Sequence, residues 1–588
     1  MQFHSLSAFM LSSGVIRPGT TAINRIERLS HLTAKSFLLP LLLLATALWF
    51  VLGNWLWPLL NPDEGRYVGV ALEMFQSEQW STPLLNGMPY FHKPPLFYWL
   101  TAASLSVFGQ NEFAVRLVPA LAGLSMVGAL FIFVRRFVAS ARALKASIIL
   151  AMTPLMFGAA HYANLDLLVA AMICSTILCG ATAALLHQQG QSHLRWVLAM
   201  YLFAALGFLA KGLIGFVLPA GVLLCWLLVE RRYRAIRILL RIRGMMLFLG
   251  IIAPWLLLMQ WRYPGFLHYY LVYQQVARFT QGGFNNVMPV WFYLAVLFGS
   301  MLPWYRGAAL AVFTRGYWRY WRQENHASVR TLMWIWLAII LVFFSIPQSK
   351  LVGYILPVLP PLAYLFAEFF SSSGSAAAIR VKAVASQFLP ANHRQRALDQ
   401  DAAESGHFMV RMLLCLLVGV AGMVYLSTAT LPGSSRIAKA IRQSPPLPGQ
   451  SDRYYSLDFY PFDFGFYMGN NPALTVVSDW VDSQVSARDT WRKELWDAQQ
   501  FDAANSAIAL RCLPLLSGHY VFPAVIGAGY WAMPDGWTIF RNGPISNRIL
   551  PMAGGKSICC RREPSCHGAR LRVILGDNNL RPACRLFQ

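Results

Sequence analysis

The chain has 588 residues, of which 56% are apolar and only 13% charged, with a mean hydropathy of +0.46; this balance excludes an ordinary soluble globular protein. A formal charge of +24 would suit a nucleic-acid binder, but the basic residues fall in short clusters between apolar runs, the orientation signal of membrane insertion. The reading is a polytopic membrane protein with no nucleic-acid partner.

Residues 1–36 carry Arg17, Arg25, Arg28 and Lys35 without a long apolar run and read as a cytoplasmic tail. The run Phe37 to Leu60 exceeds the core of a cleavable signal and lacks a small-residue cleavage site after it, so it reads as a retained first span. A spanning helix needs about 20 apolar residues. Candidates centre on 37–57, 113–134, 146–160, 165–186, 196–210, 212–229, 244–261, 289–313, 330–347, 351–370 and 408–431. The apolar stretch 96–110 is short and reads as interfacial or partly inserted.

Arg135, Arg136, Arg142 and Lys145, the six arginines from Arg231 to Arg243, and Arg315, Arg319 and Arg322 fall on alternate connections. The positive-inside bias makes that side cytoplasmic. The loop 58–112, the turn at Asp166, Lys211, residues 262–288 and Gln348 to Lys350 then share the outer face. The stretch 371–407 reads as a cytoplasmic connection, and 37–431 as the membrane domain. An odd span count puts 432–550 outside; its turn signals and mixed segments suggest a small α/β domain. Residues 551–588, rich in cysteine and arginine, are assigned no function.

Of nine cysteines, Cys174, Cys179, Cys225 and Cys415 lie in apolar runs, where burial as small hydrophobes explains them. The five after residue 500 lack zinc spacing and an even count, leaving at most a disulfide.

Between Asn61 and Trp99 stands a dense set of acids, cations and phenols between two apolar runs. Ionisable groups beside hydrocarbon are costly, so their clustering points to a site. Asp63 and Glu64 open a helix-spaced segment, where the helix dipole favours a carboxylate. Capping alone would explain them, but leaves Arg66, Tyr67, Tyr90, His92 and Lys93 without a reason. Paired prolines after Lys93 stiffen the chain and hold that cation extended, suiting an anionic group. A lysine snorkelling at a helix end is the plainer alternative. Asp166, a carboxylate beside hydrocarbon, needs a partner, and Arg66 or Lys93 are the candidates. Arg278, Lys350 and Tyr354 add cations and a phenol suited to a lipid phosphate; the aromatic excess by itself is that of an interfacial belt.

DEGRY at 63–67, EMFQSEQW at 73–80, YFHKPPLFYW at 90–99, NLDLL at 164–168, AKGLIGFVLP at 210–219, SMLPW at 300–304 and FFSIPQSKLVGYILP at 343–357 together resemble the bacterial aminoarabinose transferases of lipid A. These belong to the GT-C family of polyprenyl-phosphate-dependent glycosyltransferases, which includes the protein O-mannosyltransferases. The likeness covers most of residues 40–370. It implies a multi-span helical membrane domain with a periplasmic C-terminal domain, which with the apolar runs above makes the expected fold an all-α membrane domain of about 11–13 transmembrane helices with a small C-terminal α/β periplasmic domain. It also implies an inner-membrane location with the active site facing the periplasm. The implied activity is inverting transfer of a sugar, aminoarabinose or a related amino sugar, from an undecaprenyl-phosphate donor to lipid A.

Carried over by position, the resemblance implies that Asp63 and Asp166 are the important acids, that Lys93, Arg278 and Tyr354 contact the lipid-phosphate end, and that Arg66, Tyr67 and Tyr90 line the same cavity. Glu64 and Lys350 join them as substrate-binding candidates from their own charge and position. His92 stands where many members have Glu, and Gln275 where they have His. Members of the family hold a metal near these positions, so a divalent ion at His92 stays open, as does a different sugar. A protein O-mannosyltransferase and, from a different class, a lipid-sugar transporter are the alternatives.

Overall fold

A computed structural model describes residues 37–277, 287–305, 327–368, 391–429, 433–443, most of 452–512 and the backbone of short strands beyond, to residue 575. Among the described residues six helices are long and apolar enough to cross a membrane: Glu112–Phe137, Leu165–Gln188, Leu194–Lys211, Ile242–Arg262, Ala327–Ser345 and His407–Ala429. Phe37–Val51, Leu96–Phe108, Ile214–Val229 and Val352–Glu368 are shorter apolar helices.

The expected span 146–160 is two helices, Ser140–Met152 and Pro154–Ala160, bent by 63° at their junction. Proline disfavours helical backbone in the residue before it, and Thr153 is extended, with ψ 126°. The expected span 289–313 is described only through Phe292–Ser300 and the turn Leu302–Trp304. Residues 391–407, read from sequence as part of a connection, are helical and run into the span His407–Ala429 within the long helix Ala391–Ala429.

Leu165–Gln188 is the centre of the bundle: the whole of its apolar window is enclosed. It packs against Glu112–Phe137, Leu194–Lys211 and Ile214–Val229. Ala170, Ala171, Ala181, Ala183 and Ala184 are fully buried along it, since packing between membrane helices relies on small side chains that let backbones approach.

The loop 58–112 folds as the helix Asp63–Ser77, a hairpin of Leu84–Leu85 with Met88–Pro89, and the helix Leu96–Phe108. Glu64 fastens its start. That carboxylate, with no exposed surface, accepts from Arg116 Nε at 2.8 Å and Nη2 at 2.7 Å, and from the Leu60 and Ala163 amides at 2.7 Å each. Arg116 also donates to the carbonyls of Asn54, Trp57 and Pro58. A buried ion pair is tolerable only when its remaining valences are met, and here they are.

The C-terminal domain is α/β. Asp452–Leu457, Leu474–Ser478 and Leu510–Cys512 lie parallel in that order, with Val476 opposite both Ser456 and Leu510. Arg570–Leu575, in the stretch to which the sequence assigns no function, pairs in parallel with the other edge of Asp452–Leu457. The loop hairpin meets the end of Leu474–Ser478: Asn86 Nδ2 donates to the Leu474 carbonyl at 2.7 Å and its Oδ1 accepts from the Leu474 amide at 3.0 Å.

Gly65 sets how closely this domain approaches the loop helix. A Cβ there would stand 2.5 Å from Asn61 Oδ1 and 2.8 Å from the Asp463 backbone nitrogen. Asp463 cannot retreat cheaply, because its buried carboxylate accepts from the Ser434 hydroxyl at 2.7 Å. Gly65→Ala is therefore expected to cost about 1–3 kcal/mol as an overpacked contact. The change should appear as faster protease cleavage between residues 430 and 512; a wild-type cleavage rate would show that this contact yields freely.

Candidate active site

Two ion pairs from separate parts of the chain lie at one end of the bundle. The first stands at the start of the loop helix. Asp63, with its side chain 31% exposed, pairs through Oδ1 with Arg66 Nη2 at 3.2 Å. The other arm of Arg66, Nη1, lies 2.6 Å from Glu494 Oε1, a residue of the C-terminal domain that no sequence signal singled out. The guanidinium rests 5.2 Å from the Phe462 ring centroid and 5.9 Å from that of Tyr67. Burial opposes its charge, yet Glu494 with Tyr90, Tyr67 and Asp63 holds the proton more firmly than in a free arginine.

The second pair is Asp166 with Lys211, both largely buried. Asn164, as the cap of the central helix, accepts from the Asp166 amide at 3.0 Å. Lys211 Nζ bonds to Asp166 Oδ1 and lies 4.0 Å from the Tyr354 ring centroid. This corrects the expectation that Arg66 or Lys93 partners Asp166. A lone lysine inside an apolar run was the available signal for Lys211. Gly353 permits the arrangement, since a Cβ there would collide with Asp166 Oδ2.

Tyr67 links the two pairs electrostatically, feeling the charges of both Asp63 and Asp166. Its hydroxyl is held protonated well above the usual range, first by burial and then by the Asp63 charge. Tyr90 is raised likewise, by burial and then by Glu494, with Arg66 opposing. Tyr90 stacks on His92 with ring centroids 4.8 Å apart. Lys93 is half-buried in the bend that precedes Pro94 and the helix Leu96–Phe108.

A third group adjoins them. The Tyr269 hydroxyl donates to Asp497 Oδ2 at 2.8 Å and accepts from Gln274 Nε2 at 2.8 Å. Lys493 Nζ is 3.8 Å from Asp497 Oδ1, and His92 Nε2 is 3.7 Å from Asp497 Oδ2. Burial, then the Asp497 charge, keeps the Tyr269 hydroxyl protonated. Arg262 ties the preceding membrane helix to the loop, donating to the Ser81 and Thr82 hydroxyls at 3.0 and 3.1 Å.

Three expectations need correction or restriction. Glu64, expected to touch substrate, spends its carboxylate on Arg116 and two backbone amides, so it positions the loop instead. Lys350, also expected to bind substrate, is 2% exposed and donates to the Met288 and Pro347 carbonyls; it braces the crossing of two chain segments. Among the described residues no three His, Cys, Asp or Glu side chains gather as a metal-ligand set. His92 faces Asp497 between the rings of Tyr90 and Tyr269, and Gln275 accepts from the Leu213 amide at 3.2 Å. Arg278 lies outside the described residues.

The family model for dolichyl-phosphate-mannose-protein mannosyltransferase matches residues 92–258. The chain is 31% identical over 395 residues to undecaprenyl phosphate-alpha-4-amino-4-deoxy-L-arabinose arabinosyl transferase 2 of Pseudomonas fluorescens, covering 67% of this chain and 62% of the relative. Transferase 1 of that organism is 33% identical over 334 residues, covering 56% of this chain and 59% of the relative. The chain thus spans about three-fifths of the length of these curated relatives. The crystal structure of ArnT from Cupriavidus metallidurans bound to undecaprenyl phosphate superimposes with a TM-score of 0.63 at 25% identity, covering 80% of this chain and 89% of that one.

Proposed function

We propose that this chain, a membrane protein of GT-C fold similar in sequence and structure to the aminoarabinose transferases, moves a sugar from an undecaprenyl-phosphate donor to lipid A at the periplasmic face of the inner membrane. The observation that carries this reading is the meeting of Asp63–Arg66 with Asp166–Lys211–Tyr354 around Tyr67 at one end of the helix bundle. It is supported by a fold shared with a protein crystallised with undecaprenyl phosphate. The alternation of cationic connections supports the periplasmic orientation.

Transfer from a lipid phosphosugar breaks the bond between the anomeric carbon and the phosphate, and negative charge gathers on the departing phosphate. Cations preset in a water-poor cavity stabilise that charge without reorganising. Lys93 and Arg278 are assigned to this role. Lys211, held by Asp166 and the Tyr354 ring, adds a third cation whose position is set before substrate arrives. A lipid A phosphate is already a nucleophile, so Asp63 need not remove a proton from it. Its carboxylate orients the sugar and offsets positive charge at the anomeric carbon; Asp166 acts through Lys211. A protein hydroxyl as acceptor would instead require Asp63 as general base.

The test compares lipid A masses with and without the intact gene. A pentosamine increment lost on deletion and restored by the wild-type gene is the expected result, and a hexosamine increment would keep the reaction but change the sugar. Unchanged lipid A accompanied by loss of mannose from secreted proteins would overturn the acceptor in favour of protein O-mannosylation.

A further inference from the structure

We infer that Glu494, on the C-terminal-domain helix Trp491–Trp496, is a positioning residue for transfer: it holds Arg66 away from full pairing with Asp63 and so keeps a carboxylate oxygen available to the sugar. The inference rests on the function proposed above. Glu494 and Arg66 are 428 positions apart, yet their side chains are only 7% and 16% exposed and their charged atoms 2.6 Å apart. Arg66 is therefore divided between two acids, one arm on Glu494 and the other at the longer 3.2 Å from Asp63 Oδ1. Among the described residues this is the one ion pair of Asp63, and it leaves Oδ2 outside the pair.

A guanidinium prefers a two-pronged grip on one carboxylate. Without the charge at Glu494, Arg66 would turn its fork onto Asp63 and cover both oxygens. Phe462, from the same domain, covers the guanidinium face at 5.2 Å, so the domain restrains the arginine from two directions. The rest of the segment is fastened independently. Asp497 accepts from Tyr269 at 2.8 Å, and Lys493 sits 5.5 Å from the Tyr273 ring centroid. Removing the Glu494 charge should thus leave the domain docked.

The test uses the full chain in lipid nanodiscs, with undecaprenyl phosphate-α-4-amino-4-deoxy-L-arabinose as donor probe and lipid A as acceptor. Glu494→Gln is expected to lower kcat about tenfold to a hundredfold with donor KM within about threefold of wild type, the pattern of an interaction that acts in the transition state. Glu494→Asp should recover part of the loss, and Arg66→Gln/Glu494→Gln should be no slower than Arg66→Gln, because coupled residues are non-additive. A second readout needs no turnover: carbodiimide labelling of Asp63, followed by peptide mass spectrometry, should slow in Glu494→Gln as Arg66 covers the carboxylate. Wild-type kcat in Glu494→Gln, or losses that multiply in the double variant, would overturn the inference. Were the wild-type chain inert toward this donor, the proposed function would fail on its own, and an unchanged Asp63 labelling rate would separately refute the role of Glu494.

Discussion

Asp63→Asn is expected to lower transfer by about a thousandfold or more, the scale of losing a preset charge at a reacting centre, with the protein still inserted in normal amount. Asparagine preserves the shape of the side chain and its place at the helix start, where the dipole tolerates either form. What it removes is the negative charge facing Arg66 at 3.2 Å. Because the Asp63 side chain is 31% exposed and Arg66 keeps Glu494 as partner, the fold has little reason to suffer. Washed membranes assayed with the lipid phosphosugar separate the two effects. Turnover near the wild-type rate would remove Asp63 from the chemistry.

Arg116→Met should act on stability instead. Glu64 would be left as a fully enclosed carboxylate held by only two amides, and stranding one member of a buried pair costs about 3–5 kcal/mol. The carbonyls of Asn54, Trp57 and Pro58 lose their donor as well. Adding Glu64→Gln to Arg116→Met should recover part of the loss, since the stranded charge is gone. Thermal unfolding in detergent, read for both single variants and the double, tests this; equal midpoints for wild type and Arg116→Met would mean that the pair contributes nothing.

The same clusters of residues separate what the chain alone makes legible from what it does not. Long apolar runs and alternating arginine clusters are local signals, so the membrane class and the helical bundle were readable from the chain. The concentration of acids, cations and phenols in residues 61–99 was readable for the same reason: each costs free energy beside hydrocarbon. The choice of partner was not. Asp166 pairs with Lys211 rather than with Arg66 or Lys93, because the helix Leu194–Lys211 packs directly on Leu165–Gln188 and ends beside it. Glu64 looked equivalent to Asp63 from its position, yet one residue of helical rotation turns it inward onto Arg116.

Composition and pattern, acting through the cost of taking charge and backbone out of water, determined by themselves that the chain spans a membrane and where along it the acids, cations and phenols concentrate. Tertiary structure alone decided which acids stay available and which are consumed. Glu494 joins Arg66 from 428 positions away, and Lys350 turns onto two backbone carbonyls. The physical reason is that an ion pair depends on separation and solvent exclusion in three dimensions. Neither quantity is carried by the spacing of residues along the chain.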